Sequence, residues 1–351
     1  MSRPDDAQAE SGAPPIRVVV CDDSAFMRRS MTLVLDGEPD IDVVGSAATG
    51  QEAIGMCREL RPDVLTLDME LPDIDGLDVL AQVRDMPLRV LVVSSSTNSV
   101  STSRAVDALA GGALDAIGKP SDELDRNVFS ARLMQTVRDI ATGTGRHVRL
   151  ARISAVDSSV PGPTIAAPLL LIGASTGGPA ALDALLGALP ERFTAPVIVV
   201  QHMPRGFSEP FARRLQRSCA LPVREAGDGA PIVPGEVIVA SSGRHLHVAS
   251  DRVFVRDGER VCGMRPSVDV AFMDAATTWG SRVTGIVLTG IGSDGLVGAR
   301  AIRASGGRVI AQDEASCVIW GMPRAVEEAG LADEVVALSD LPAALALEAR
   351  R

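Results

Sequence analysis

The sequence predicts an α/β protein built as two doubly wound domains. Short apolar runs alternate with helical patterns from Ile16 to about Gly118, and the same alternation resumes at Pro168. Between these regions lies a stretch rich in Gly, Ser, Thr and Pro, the composition of a linker. Strands alternating with helices pair in parallel and are covered on both faces. The 351 residues suffice for two such domains. The expected units are a disordered leader over 1–14, a first domain over 15–135, a linker over 136–166 and a second domain over 167–351.

In chain order, the first domain offers five strands, IRVVV, IDVVG, DVLTL, RVLVV and LDAIG. Helical patterns such as GQEAIGMCREL and GLDVLAQVRD separate them, which makes a five-stranded parallel sheet. One more helix is expected from Ser121 to about Ile140. The second domain offers PLLLIG, APVIVV, GEVIVA, RHLHV, RVFVR, RVTGIVLTG and GRVIAQ. The two runs around VASDRV suit a β-hairpin, which makes a mostly parallel but mixed sheet.

Composition narrows the functions. Hydrophobic residues make up 46% while aromatics make up 3% with no Tyr, so the cores are built from Val, Leu, Ile and Ala. No apolar run reaches the ~18 residues needed to span a bilayer, and MSRPDDAQAESGAPP lacks the apolar stretch of a signal peptide. A cytoplasmic protein without membrane insertion is expected. The net charge of -11 argues against nucleic acid, which demands clustered Lys and Arg. Five scattered cysteines without a CxxC pair read as reduced packing thiols. His245 and His247 share one strand face, but nothing nearby completes a metal site.

In open parallel sheets, ligands sit at the carboxyl ends of the strands. Asp22 and Asp23 follow the first strand and Asp68 follows the third. If those strands are neighbours the carboxylates converge, and a hard divalent cation such as Mg²⁺ relieves their repulsion. Ser94 ends the fourth strand and Lys119 the fifth, so a hydroxyl and an ammonium face the same cleft. Together they suit a phosphoryl group accepted by a carboxylate. Any one of these acids alone reads as a helix cap; five suitable residues at successive strand ends do not.

CDDSAFMRR, LTLDMELPDIDGL, VVSSST and IGKP closely resemble the receiver domain of two-component response regulators. The resemblance implies Asp68 as phosphoacceptor. It also implies Mg²⁺ held by Asp22, Asp23, Asp68 and the backbone carbonyl of Glu70, with Ser94 and Lys119 sensing the phosphoryl group. Receivers usually carry an aromatic residue three positions before the lysine; this chain has Ala116.

LLLIGASTGGPAALDALL, from Leu169 to Leu186, is the second informative stretch. It lacks the lysine of a P-loop and the second glycine of a dinucleotide fingerprint, where Ser175 stands. It does fit GxSxG at a strand-to-helix turn, which presents a serine nucleophile. Such a serine needs a base and an acid. His202 after APVIVV and Asp294 after RVTGIVL supply both residue types at strand ends. Singly, each suits a cap or a hydrogen-bonded strand end; jointly they suit a triad. A partner-binding module without chemistry and a nicotinamide-dependent reductase are the competing classes. The reductase needs an acid after the second strand, where Gln201 and His202 stand.

GASTGGP, QHMP, RPSVD and LTGIGSDGLVGA look like the catalytic domain of the chemotaxis protein-glutamate methylesterase family, CheB. The order receiver, linker, catalytic domain is also that family's. The resemblance implies a serine esterase, activated by phosphorylation. Its substrate is the methylated chemoreceptor cytoplasmic domain, from which it releases methanol and whose glutamines it deamidates. The phosphodonor is a cognate histidine kinase. It implies Ser175 as nucleophile, His202 as base and Asp294 as its orienting acid. The backbone before Gly292 helps form the oxyanion hole, with Ile291 where the family has methionine. Thr176 and Arg265 to Asp269 line the site, and the ester chemistry uses no cofactor.

Overall fold

In the computed structural model, which describes residues 14–95, 99–120, 123–142 and 167–349, the first domain rests on a five-stranded parallel sheet. Its strands are β1 (Ile16–Cys21), β2 (Ile41–Ala47), β3 (Val64–Leu67), β4 (Arg89–Ser94) and β5 (Asp115–Gly118). The order is β2-β1-β3-β4-β5, so the first and third strands are neighbours, as convergence of their carboxylates requires. Around the sheet lie α1 (Ala25–Asp36), α2 (Gly50–Leu60), α3 (Gly76–Val83), α4 (Ser99–Gly111) and α5 (Glu123–Thr142). Ser24, Thr49 and Asp75 start the first three helices by accepting amide hydrogen bonds. Met27, Met31 and Leu35, four apart, form the buried face of α1.

The expected linker, 136–166, begins inside α5. That helix continues to Thr142 because Leu133, Val137 and Ile140 are buried with the face of the sheet that α1 covers. Residues 143–166, and 1–13 of the expected leader, lie outside the described residues.

The second domain carries a seven-stranded sheet paired in parallel throughout, of order β15-β14-β13-β6-β7-β10-β8. These are β6 (Leu169–Ala174), β7 (Val197–Gln201), β8 (Val223–Glu225), β10 (Val237–Val239), β13 (Val283–Val287), β14 (Arg308–Gln312) and β15 (Glu334–Val336). Helices α6 (Gly178–Gly187), α7 (Ser208–Ser218), α8 (Val268–Trp279), α9 (Leu296–Ala304), α10 (Met322–Glu328) and α11 (Leu341–Glu348) complete the unit. The edge strands β8 and β15 have no fully buried residue, so they leave no apolar run to read.

The expected hairpin exists, with β11 (His245–Val248) and β12 (Arg252–Arg256) paired antiparallel. The expectation of a mixed sheet is corrected, because the hairpin joins β9 (Ala230–Pro231) in a separate three-stranded sheet. Leu246, Val248, Val253 and Val255 pack into the core shared with α8, and Trp279 Nε1 donates to the Ala249 carbonyl. That apolar face belongs over the domain core rather than at a sheet edge.

Four cysteines are buried as expected, and burial pushes the Cys21 and Cys57 thiols up to about 12. Cys262 departs from the expectation: it is exposed, in the loop before α8. His245 and His247 are held by the Glu259 carbonyl and the Asp274 carboxylate.

Helices α8 and α9 approach closely at Gly298, where a Cβ would overlap Phe272 Cβ. Gly298→Ala is therefore expected to lower stability by ~1–3 kcal/mol through overpacking. Chemical denaturation checks this, and an unchanged midpoint contradicts it.

Candidate active site

Ser175, His202 and Asp294 follow three adjacent central strands, β6, β7 and β13. β6 has β13 on one side and β7 on the other, so the chain order reverses there. Such a switch point is where open α/β sheets hold ligands. Ala174 pairs with Gln201, which makes Ser175 and His202 the next residues on neighbouring strands.

Ser175 is buried, its amide donating to the Thr289 carbonyl and its carbonyl accepting from Gln201 Nε2 and the Gly178 amide. The turn after it depends on Gly177. Its φ of +78° suits glycine, and a Cβ there would meet Val318 at 2.5 Å. Helix α6 then starts with Pro179 in its first turn.

His202 Nε2 and Asp294 Oδ2 lie 2.8 Å apart, both side chains buried. Asp294 Oδ2 also accepts from the Val268 amide, and Oδ1 accepts from Ser267 Oγ and the Asp269 amide. Burial raises the Asp294 pKa, but the hydrogen bonds from His202 and from the Asp269 and Val268 amides outweigh it and hold the carboxyl below its usual range. An ionised carboxylate only accepts, so the proton of a neutral His202 sits on Nε2. Nδ1, buried and without a partner, then offers its lone pair. In the common serine-protease arrangement the acid holds Nδ1; here Asp294 holds Nε2 instead.

Asp269 completes a reciprocal clasp. Asp294 caps the start of α8, while Asp269 Oδ1 accepts the Gly295 and Gly298 amides at the start of α9, at 2.9 and 2.7 Å. Burial and the neighbouring Asp294 charge raise the Asp269 pKa. Cys262, Asp269 and Asp294 lie close enough to suggest a cation. However, both Asp294 oxygens already take two donors each, so hydrogen bonding occupies that carboxylate. Sequence reasoning placed Asp269 only among lining residues and gave Gln201 no role; a lone Gln or Asp carries no signal of its partners.

In the loop after β13, the Ile291 and Gly292 amides find no acceptor among the described residues, nor does that of Thr176. Thr176 instead engages the first domain, its Oγ1 donating to Asp115 Oδ2 at 2.5 Å. The Gly177 amide donates to the Leu114 carbonyl at 3.0 Å. Further out, Arg214 of α7 pairs with Asp107 of α4 at 3.2 Å.

At the first domain's switch point, Asp22, Asp23 and Asp68 bring ligand atoms within 4.8 Å of one another. Lys119 Nζ lies 2.7 Å from Asp22 Oδ2 and 2.8 Å from Asp68 Oδ2. The Lys119 ammonium thus bridges the two buried carboxylates. Burial raises the Asp68 pKa, with Lys119 opposing and Asp22 adding to the rise. Glu70 donates its amide to Asp68 Oδ1. Ser94 Oγ donates to the Ser101 carbonyl at the start of α4, and Ser101 Oγ to Glu70 Oε1.

The CheB methylesterase profile matches residues 170–345, and the response regulator receiver domain profile matches residues 18–127. The chain belongs to the CheB methylesterase family. It is 43% identical over 345 residues to protein-glutamate methylesterase/protein-glutamine glutaminase 5 of Myxococcus xanthus, covering 94% of this chain and 97% of that one. The corresponding Thermotoga maritima protein is 37% identical, covering 93% and 96%. The crystal structure of the Thermotoga maritima CheB methylesterase catalytic domain matches with a TM-score of 0.51 and 38% identity. It covers 52% of this chain and 99% of that one. No helix among the described residues of this CheB family member is long and apolar enough to cross a membrane.

Asp294→Asn puts an amide NH₂ against the Val268 amide or His202 Nε2, and is expected to cost ~2 kcal/mol at pH 7. The depressed folded pKa makes this contribution full above the unfolded value of ~3.9; it fades as pH falls through the folded value. Urea denaturation of both proteins from pH 7 to pH 3 checks the sign. A difference that grows toward pH 3 contradicts it.

Proposed function

We propose that this chain is a phosphorylation-activated serine esterase acting in the cytoplasm. Its substrates are glutamate γ-methyl esters, and glutamine amides, of a chemoreceptor cytoplasmic domain. Its receiver, expected over 15–135, runs on to the end of α5 at Thr142, which shortens the assigned linker to 143–166 ahead of a catalytic domain at 167–351. The observation that carries the reading is the buried His202–Asp294 pair beside Ser175, with Nδ1 unpartnered at the switch point. The names of the relatives supply the substrate class.

In the proposed reaction His202 Nδ1 takes the Ser175 proton as Oγ attacks the ester carbonyl. The Ile291 and Gly292 amides donate to the tetrahedral oxyanion, an effect worth ~3 kcal/mol per donor in hydrolases. The proton passes from Nδ1 to the departing methoxide, releasing methanol. His202 then activates water, which hydrolyses the acyl-enzyme to the glutamate carboxylate. Asp294 holds the imidazolium throughout, and Asp269 and Gln201 position the loops around it.

In the receiver, Asp68 is the proposed phosphoacceptor, supplied by a histidine kinase. The three convergent carboxylates, with one lysine between them, fit Mg²⁺, which Asp22, Asp23, Asp68 and the Glu70 carbonyl would hold. When bound, it neutralises charge on the phosphoryl oxygens. Lys119 binds a phosphoryl oxygen, and Ser94 exchanges the Ser101 carbonyl for another. That releases the start of α4, which packs on α6 and α7. The receiver's Leu114 and Asp115, on the Ser175 turn itself, support an inhibitory role before phosphorylation. Phosphorylation would shift the population toward an open arrangement.

Ser175→Ala removes the attacking oxygen. It is expected to reduce methanol release from methylated receptor by at least about 10³-fold while leaving the circular dichroism spectrum unchanged. Near-normal turnover in this variant would overturn the assignment.

A further inference from the structure

Among the described residues, the cleft beside His202, about 280 Å³ in volume, is lined by four arginines and no acidic residue. Arg205, Arg260 and Arg265 come from the second domain and Arg132 from α5 of the first. This is unexpected in a chain with 45 acidic and 34 basic residues. Elsewhere Arg138, Arg214, Arg224 and Arg308 are paired with carboxylates. Among the described residues, Arg132, Arg205 and Arg265 make no salt bridge.

Local structure fixes two of them in place. The Cβ position of Gly243 lies 3.1 Å from Arg205 Cγ, so the Arg205 stem packs over that glycine. The Gly243 amide donates to the Arg265 carbonyl at 3.1 Å, tying both arginines to one wall. Arg265 Nη1 donates to the Gly258 carbonyl, while its Nε is buried without a partner. Holding like charges together unpaired is unfavourable unless an anion joins them. Guanidinium forks match carboxylates in bidentate geometry, and a cleft of one sign concentrates oppositely charged ligands. A neighbouring cavity shared by Arg205 and Arg244 also contains Glu209, Glu225 and Asp257. Its charges are mixed, so the selectivity belongs to the His202 cleft.

We propose that Arg205 and Arg265 form a subsite for acidic side chains flanking the target glutamate ester. The arginines select a substrate segment whose neighbouring carboxylates lie on the same face as the ester. Arg132 lines this cleft only while the receiver is docked, so the second domain alone supplies the subsite in the open arrangement. The inference rests on the esterase reading and adds the chemistry of the substrate around the ester.

The test uses the full-length protein and two methylated receptor cytoplasmic fragments, one natural and one with the flanking acids replaced by alanine. The wild-type KM is expected to be about tenfold lower for the acidic fragment. Raising the salt from 50 to 500 mM should erode that preference. In Arg205→Gln/Arg265→Gln the ratio of the two KM values should fall toward one. Equal wild-type KM values for both fragments overturn the subsite, as does a ratio that survives in the double variant. Should the double variant not fold, a wild-type ratio insensitive to salt overturns it as well. Methanol release from neither fragment is the distinct failure of the esterase reading itself.

Discussion

The Asp294 carboxylate is the constraint on which the catalytic cleft depends. It accepts four hydrogen bonds, from His202 Nε2, Ser267 Oγ and the amides of Val268 and Asp269. These donors outweigh the burial that would otherwise neutralise it. Its negative charge fixes the histidine proton on Nε2 and leaves Nδ1 as the acceptor. The same oxygens begin α8, and Asp269 on that helix begins α9 in return. Orienting the imidazole and joining two core helices are thus one set of interactions. A change at Asp294 therefore disturbs the imidazole and the helix starts together.

The second constraint couples the two domains through the backbone of the nucleophile turn. The receiver does not merely lie near the cleft: Leu114 and Asp115 bond the two residues that follow Ser175. Those residues adjoin β5, two strands from the Asp68 carboxylate and next to the strand that ends in Ser94. Ala116, buried in β5, occupies the position where receivers usually carry an aromatic residue. Ser94 Oγ instead donates to the Ser101 carbonyl at the start of α4, the contact that the proposed switch would break.

Both sheets and both strand-end clusters were legible because their signals are local. Apolar runs, punctuating glycines and polar residues at run ends survive in one dimension, and the switch points follow from strand order. Three kinds of feature were not legible. The reciprocal role of Asp269 depends on amides 26 and 29 residues away. The strands β8 and β15 lack apolar runs because they are edges, and the hairpin's separation from the main sheet depends on packing against α8. Arg132 reaches the cleft only through the docking of two domains, which no periodicity encodes.

In the proposed regulation, phosphoryl chemistry at Asp68 governs acyl transfer at Ser175. It is tested most directly by measuring methanol release from methylated receptor by the full-length protein, with and without a small-molecule phosphodonor and Mg²⁺. The account predicts that turnover rises several-fold with the phosphodonor and that Asp68→Asn abolishes the rise. Equal turnover in all conditions, or a rise that persists in Asp68→Asn, would contradict it.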